Sequence, residues 1–365
     1  MSKQRNMSID IIKCLAIFSV IGVHFILNTS SNIVINSNLD IAIYLAYRQI
    51  FIVCVPLFLL TTGYLNTEKE PTKIYYKKIL PIISIYFFYS IVSLVFRNAY
   101  MQETISIIKG IRLIFTFQAI SYAWYINMFI GLYILIPFLN KIVKSSSKKE
   151  LQLFILVLLI ISILPATWNN FSEILGYSNI FPLPNFWISI YPISYYIVGC
   201  YLKVHPVKLK KNRYYLYTAF IVYLTAVGIN YIYSDIGNIS NTIKDYSSLP
   251  ILVQSICLFI FISTKKIDFK MFNSLITKIA KYTLEIYLIS YVVDNFIYKF
   301  FKTFIFSNTI KDFIYSLPIV VSTFIISFLI VFLLKYLKNI TINKMKKEKE
   351  KYLLRELKKL RKLQT

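Results

Sequence analysis

Apolar runs of about 15–25 residues, parted by short polar segments, recur along the whole chain and match the length of helices that cross a hydrocarbon layer. They predict an all-α fold, a polytopic membrane bundle of about ten transmembrane helices. The runs fall at about 9–28, 41–65, 80–97, 122–143, 151–167, 187–202, 214–233, 249–263, 282–303 and 313–337. The segments between them are too short for a second domain, so residues 1–340 read as one membrane domain. Residues 341–365 read as a basic amphipathic cytoplasmic tail, with Tyr352, Leu353, Leu357 and Leu360 at helical spacing among lysines and arginines, suited to the inner leaflet. The longest connection, Asn98 to Ser121, contains an Ile-Lys-Gly-Ile-Arg-Leu-Ile-Phe pattern that predicts an amphipathic helix, lying at the interface or folded back as a lid. The segment Trp168 to Phe186, with Asn169, Asn170, Pro182 and Pro184, carries no charge except Glu173, a composition that suits sugars and interfacial belts alike.

The first run breaks its own apolar pattern with Asp10, Lys13 and His24. Lys13 and His24 are eleven positions apart, which returns to one helix face after roughly 16 Å, and Asp10 lies one turn before Lys13. A charge at membrane depth costs at least about 2.5 kcal/mol, so such groups face a bundle interior or a polar cavity.

Composition agrees with a membrane class. The 365 residues are 57% hydrophobic and 17% aromatic, and the mean hydropathy is +0.61. A formal net charge of +25 raises nucleic acid as a partner, but its placement argues against one. With the N-terminus inside, Lys69 to Lys78, Lys141 to Lys149, Lys203 to Arg213, Lys265 to Lys281 and the tail share one side. On the opposite side Thr29 to Asp40 and Trp168 to Phe186 carry no Lys or Arg and Ser234 to Ser248 only Lys244, while Arg97 to Ser121 is the exception with Arg97, Lys109 and Arg112. This distribution predicts that both termini are cytoplasmic, with the excess charge meeting anionic lipid and no nucleic acid involved. The first run lacks a signal-peptide cleavage pattern and is expected to be a retained span. Cys14, Cys54, Cys200 and Cys257 lie within spans without pair spacing and read as packing residues, with no disulfide. Richness in Ile, Lys, Asn and Tyr suggests an AT-rich bacterial genome and hence the plasma membrane.

Further ionisable groups fall inside later runs. Arg48 is expected near His24 in depth, Glu285 near Asp10 and Lys13, and Asp294 in the half that holds His24. Nine positions place Glu285 and Asp294 on opposite faces of their helix, so at most one faces the cavity centre. His24 has the near-neutral reference pKa suited to proton transfer, and no second membrane histidine accompanies it to make a metal site. His205 lies in a basic loop before Pro206 and reads as solvated.

These residues resemble the acyltransferase-3 family of multi-span membrane acyltransferases. Ile9-Asp10 through Lys13 to His24 is similar to the family's Asp-x-x-(Arg/Lys)-x10-His signature. Arg48, Val55-Pro56-Leu57-Phe58 and Thr62-Gly63-Tyr64 resemble its second-helix pattern, and Tyr76-Lys77-Lys78-Ile79-Leu80-Pro81 its basic inner loop. Trp124-Tyr125, Leu132-Tyr133 and Pro137 resemble a further helix, and Tyr282-Thr283 with Ile286-Tyr287-Leu288 a late element. The matches run in order over most of the chain. Three positions depart from the pattern: Lys13 replaces an arginine and its planar fork, adjacent Lys77 and Lys78 replace an Arg-x-x-Arg pair, and Ser290 stands where many members have histidine.

The resemblance implies transfer of an acyl group, usually acetyl, from cytoplasmic acyl-CoA to a hydroxyl of an extracytoplasmic or lipid-linked glycan. Acyl-CoA is then a donor substrate, and no bound cofactor or metal is implied. In this reading His24, Lys13 and Asp10 form the catalytic set, with His24 oriented by a carboxylate or polar neighbour. Lys73, Lys77 and Lys78 attract the donor phosphates, and Arg48, Trp124, Tyr125, Asp294 and Glu285 are the acceptor or oxyanion candidates. The rival reading is a transporter of polysaccharide or lipid-linked oligosaccharide that uses the same polar stripe as a conduit. The acyl group, the sugar and the oligomeric state are not encoded in any motif.

Overall fold

The computed structural model describes residues 5–29, 35–174, 185–207, 212–236, 239, 243, 245–305 and 309–363, with side chains except at 173–174, 301–305, 309–314, 347 and 350–363. Lys244, Pro182 and Pro184 lie outside the described residues, as do the side chains of Glu173, Tyr352, Leu353, Leu357 and Leu360. Among the described residues, seven helical stretches are long and apolar enough to cross a membrane: Met7–Thr29, Asn38–Asn66, Lys73–Ala99, Ser121–Ser145, Lys148–Ser172, Arg213–Ile232 and Tyr315–Lys346. The other predicted positions are also helical, in the shorter Tyr191–Val204 and Leu249–Ser263 and the charged Thr283–Ile305.

Helix α1 (Met7–Thr29) is the centre of the bundle. It packs against α2 (Asn38–Phe51), α3 (Cys54–Asn66), α12 (Leu249–Ser263), α13 (Asn273–Lys281), α14 (Thr283–Ile305) and α15 (Thr309–Leu363). Being enclosed on most sides is what allows this helix to carry ionisable groups away from lipid. The second span is two helices because Pro56 lacks the N–H that would continue the ladder to Ile52. The chain turns at Ile52 and Val53, and that turn brings Cys54 and Val55 to the interior.

α4 (Lys73–Lys77) is a short helix capped by Thr72 and fixed to α7 (Trp124–Ser145) through Tyr75 and Tyr133. Each of these tyrosines donates its hydroxyl to the other's backbone carbonyl, at 2.7 and 2.9 Å, and their rings stack at 4.5 Å. α5 (Leu80–Ala99) follows and directs Phe88, Ile91 and Val95 outward, as expected of a lipid-facing surface. α6 (Ile107–Phe115) is the predicted amphipathic helix. It buries Gly110 and Ile114 while Ile107, Ile108, Ile111 and Phe115 are exposed.

The exceptional Arg97 explains itself at this point: it takes Glu103 in a fork of hydrogen bonds (2.7–3.1 Å) and donates to the carbonyls of Gln118 and Ala119. It therefore ties the loop that leads into Tyr122 and α7. These bonds from Arg97 hold the Glu103 carboxyl below its usual range and outweigh the partial burial that pushes it up.

α8 (Lys148–Leu158) begins with a capping box of Ser147 and Glu150 and passes through a π-turn at Leu159–Ile163 into α9 (Leu164–Ile174). Pro165 lies at that junction, where a missing N–H favours the wider turn. α10 (Tyr191–Val204) crosses α3 at backbone contact. A Cβ on Gly63 would sit 2.0 Å from the Tyr196 carbonyl oxygen, and one on Gly199 2.2 Å from that of Leu60. No side chain fits at either position. α11 (Arg213–Ile232) lies outside α12 and shows Phe220, Ile221 and Leu224 to the exterior.

Candidate active site

A cavity of 340 Å³ runs between α1, α3, α7 and α14. Lys13, Thr62 and Asn66 line one end, and His24, Cys54, Trp124 and Tyr246 line the other. The two α1 residues are separated by roughly 16 Å along the helix, so the cavity follows the predicted stripe for most of its length. The wall between is apolar and aromatic, including Phe58, Phe129 and Leu284. A lining of this kind with few polar groups is typical of sites that hold long, mostly apolar ligands and fix them at a few points.

His24 is placed by rings. Its imidazole stacks on Tyr122 with centroids 3.4 Å apart and planes 20° apart, and Tyr287 lies 6.0 Å away. The His24 Nδ1 atom is buried without a hydrogen-bond partner. Tyr122 is in turn held at three points. Its hydroxyl donates to Asp294 Oδ2 at 3.0 Å, the Asn28 amide donates to the same hydroxyl, and Tyr287 donates its hydroxyl to the Tyr122 carbonyl. Asp294 is wholly buried, with the hydroxyls of Tyr298 and Thr323 beside it. A carboxylate thus stands behind His24, but it reaches the imidazole through a phenol ring and not directly.

The other sequence candidates separate into groups. Trp124 and Tyr125 line the cavity, and Trp124 stacks on Tyr246 at 5.9 Å. Asp10 is absent from the cavity wall and pairs with Arg5 at 2.5 Å, while Arg5 also donates to the Thr277 carbonyl. Asp10 is close enough to Lys13 to act on it electrostatically. Arg48 does not line the cavity and has Tyr44, Tyr246 and Asp245 as electrostatic neighbours.

Glu285 pairs with Lys335 of α15 at 2.7 Å. The opposite-face relation of Glu285 and Asp294 holds, and neither carboxylate lines the cavity. Ser290 is buried and donates its hydroxyl to the Tyr287 carbonyl. Lys73, Lys77 and Lys78 are exposed, and Ile82, one turn beyond Lys78, lines the cavity. Among the described residues no three His, Cys, Asp or Glu side chains converge as a metal site would require.

Several site residues escape a reading of the sequence. Tyr122 and Asn28 belong to no charged pattern, and Tyr246 precedes its helix in a polar loop. Tyr287 lies within the late Ile-Tyr-Leu element but without any sign of its role. A second feature found only in three dimensions is a recess of 350 Å³ at the Lys13 end, where Lys69, Lys141 and Lys144 meet Asn140 and Glu70, with Lys144 paired to Glu68 and Glu70 at 3.3 and 3.6 Å. Asn140 donates to the carbonyls of Asn66 and Lys69 and so fixes this turn beside the cavity.

A family model described as an acyltransferase domain matches residues 6–332, which include every element of the cavity. No curated protein matches the chain, and no solved structure does.

Proposed function

Because the chain belongs to the acyltransferase-3 family, a family of membrane acyltransferases, we propose that it transfers an acetyl group from cytoplasmic acetyl-CoA to a hydroxyl of an extracytoplasmic or lipid-linked glycan. The observation that carries this reading is His24 at one end of a largely apolar cavity that has Lys13 at the other. Lys13 and His24 are too far apart to act on one carbonyl. They are suited to the two ends of an extended phosphopantetheine arm, with the thioester at His24 and the anionic end towards Lys13.

The basic groups around that end fit the same assignment. Lys73, Lys77 and Lys78, together with Lys69 and Lys141 of the recess, supply cationic donors for the phosphates of CoA. Asp10, held by Arg5, keeps Lys13 in place and takes no part in the bond changes.

In the reaction, the acceptor oxygen attacks the thioester carbonyl carbon as His24 removes the hydroxyl proton. A C–O bond forms, the C–S bond breaks, and the proton passes from His24 to the thiolate of CoA. Stacking on Tyr122 fixes the plane of the imidazole without engaging Nδ1, so the protein does not lock one tautomer through that atom. Tyr125 and Tyr246 line the cavity and provide phenol donors for the oxyanion that develops on the carbonyl. Arg48, an electrostatic neighbour of Tyr246 and Asp245 outside the cavity wall, belongs to the acceptor side in this reading. The cell compartment in this reading is the bacterial plasma membrane, with both termini cytoplasmic.

The test is thiol release from acetyl-CoA by the full-length protein in lipid nanodiscs, with and without the glycan of the source cells. Glycan-stimulated thiol release that disappears in His24→Ala supports the reading. Release by His24→Ala equal to that of the natural protein contradicts it.

A further inference from the structure

A second cavity, of 400 Å³, adjoins the first and shares Trp124 and Tyr246 with it, so the stacked pair is a common wall. It lies at the opposite end of α7 from the lysine recess. Its far side is made by the end of α9, the turn before α10 and the segment before α12.

The polar groups here are firmly set. Asn170 donates to Asp245 Oδ2 at 3.3 Å, and Asn169 donates to Asn185 at 2.8 Å, which leaves the buried Asn169 Oδ1 without a partner. The Asp245 turn is fixed by its own carbonyl, which accepts from the Ser248 hydroxyl and N–H, and by Tyr195, whose hydroxyl donates to the Tyr246 carbonyl. The Leu249 N–H donates to the Thr167 hydroxyl, joining this turn to α9. These anchors hold the amides and the carboxylate before any ligand arrives, which lowers the entropy lost on binding.

We propose that this cavity is the acceptor subsite and takes a neutral pyranose ring of the glycan. The inference rests on the acyltransferase reading given above. A sugar ring offers an apolar C–H face and a rim of hydroxyls, each able to donate and accept. Trp124, Tyr191 and Tyr246 supply aromatic surface, while Asn169, Asn170 and Asp245 supply acceptors and donors for the rim. No lysine or arginine lines the cavity to pair with an acidic sugar, and its one carboxylate, Asp245, already has the Arg48 guanidinium as an electrostatic neighbour, which suits a neutral ring. The volume is within the usual range for small-molecule pockets of about 300–1,000 Å³. A ring held against the far side of the Trp124–Tyr246 wall brings one hydroxyl to the edge of the cavity that holds His24.

The test uses full-length Asn170→Ala, Asp245→Asn and Ser189→Trp variants. Ser189 is exposed on the rim, so its tryptophan blocks the mouth without entering the core. Each is returned to source cells lacking the gene, and ester-linked acetyl is measured by NMR separately in lipid-linked and polymeric glycan. Hydrolytic thiol release from acetyl-CoA in the absence of glycan, in which water takes the place of the acceptor hydroxyl at His24, is measured on the purified proteins in nanodiscs. The expected result is at least a tenfold loss of glycan ester at unchanged membrane abundance, with glycan-independent thiol release within twofold of the natural protein. The fraction that carries the ester identifies which glycan presents the sugar.

Esterification at the natural level in all three variants overturns the subsite and leaves the acyltransferase reading intact. An equal loss of thiol release also overturns it, since the pocket would then support the catalytic fold and not the acceptor. If the natural protein neither releases thiol nor esterifies glycan, the acyltransferase reading fails and the subsite with it.

Discussion

His24 is held by the face of Tyr122, and the hydrogen bonds that a base might make directly are made one ring away. A bond from a phenol to a charged group contributes about 1.5–3 kcal/mol. Tyr122→Phe keeps the stacked ring and removes its bonds to Asp294 and Asn28, so kcat for acyl transfer is expected to fall roughly ten- to a hundredfold. KM for acetyl-CoA should stay within twofold, because the donor end at Lys13 is untouched, and steady-state kinetics in nanodiscs separates the two. Asp294→Asn should lower kcat by a similar factor, and the double variant by less than the product, since both act through one contact. The Lys13 and His24 stripe was legible because helical geometry fixes which positions share a face. The Tyr122–Asp294 support was not, because it joins α14 to a turn some 170 positions earlier, and an uncharged tyrosine among thirty carries no mark of its partner.

Elements meet where particular residues let them. Gly63 and Gly199 allow α3 and α10 to touch along their backbones, and α3 carries Thr62 and Asn66 of the cavity wall. Overpacking in a well-packed core costs about 1–3 kcal/mol, and here a new methyl group would meet backbone, which cannot rotate away. Gly63→Ala is therefore expected to lower the thermal unfolding temperature in detergent and the membrane abundance, with Gly199→Ala doing the same.

The Glu285–Lys335 pair joins α14 to α15 outside the cavity. Lys335→Met should lower stability while leaving KM for acetyl-CoA within twofold, as measured by unfolding and kinetics on the same preparation. Helical periodicity had already separated Glu285 from Asp294, and the structure shows why both are tolerated: each has a partner on a different neighbouring segment. Arg97 looked like an exception to the charge pattern, and its partner Glu103 and two loop carbonyls lie beyond its own helix, out of reach of periodicity. Its contact with Glu103 lowers that carboxyl's pKa. The stabilisation is present above the ordinary carboxylate value of about 4.3 and is lost as pH falls through the lowered one. Thermal unfolding of Arg97→Ala should lack that acid-side change.

At the scale of the whole molecule, one central helix is surrounded by others, and the cavity passes beside it from the lysine-rich end to the aromatic end. The apolar runs revealed where helices lie, because the bilayer imposes their length. They did not reveal that the second span is divided into two helices ahead of Pro56, whereas the fifteen-residue run at 249–263 is α12 as found. The charge distribution predicts the orientation, with the α7–α8 connection inside and the α5–α6 connection outside. A cysteine at Ser106 should be labelled by a membrane-impermeant maleimide in intact cells, and one at Ser147 only after permeabilisation.

The central claim is that an acyl group leaves CoA at His24 and arrives on a glycan. The most direct measurement is NMR of ester-linked acyl groups on the glycan of cells carrying the natural protein, no protein, or His24→Ala, with total glycan and membrane abundance measured in the same samples. The account predicts that acyl ester is lost both without the protein and with His24→Ala, at unchanged glycan and protein levels. Undiminished ester in His24→Ala cells, accompanied by less exported glycan in cells without the protein, would contradict it and point to a transporter.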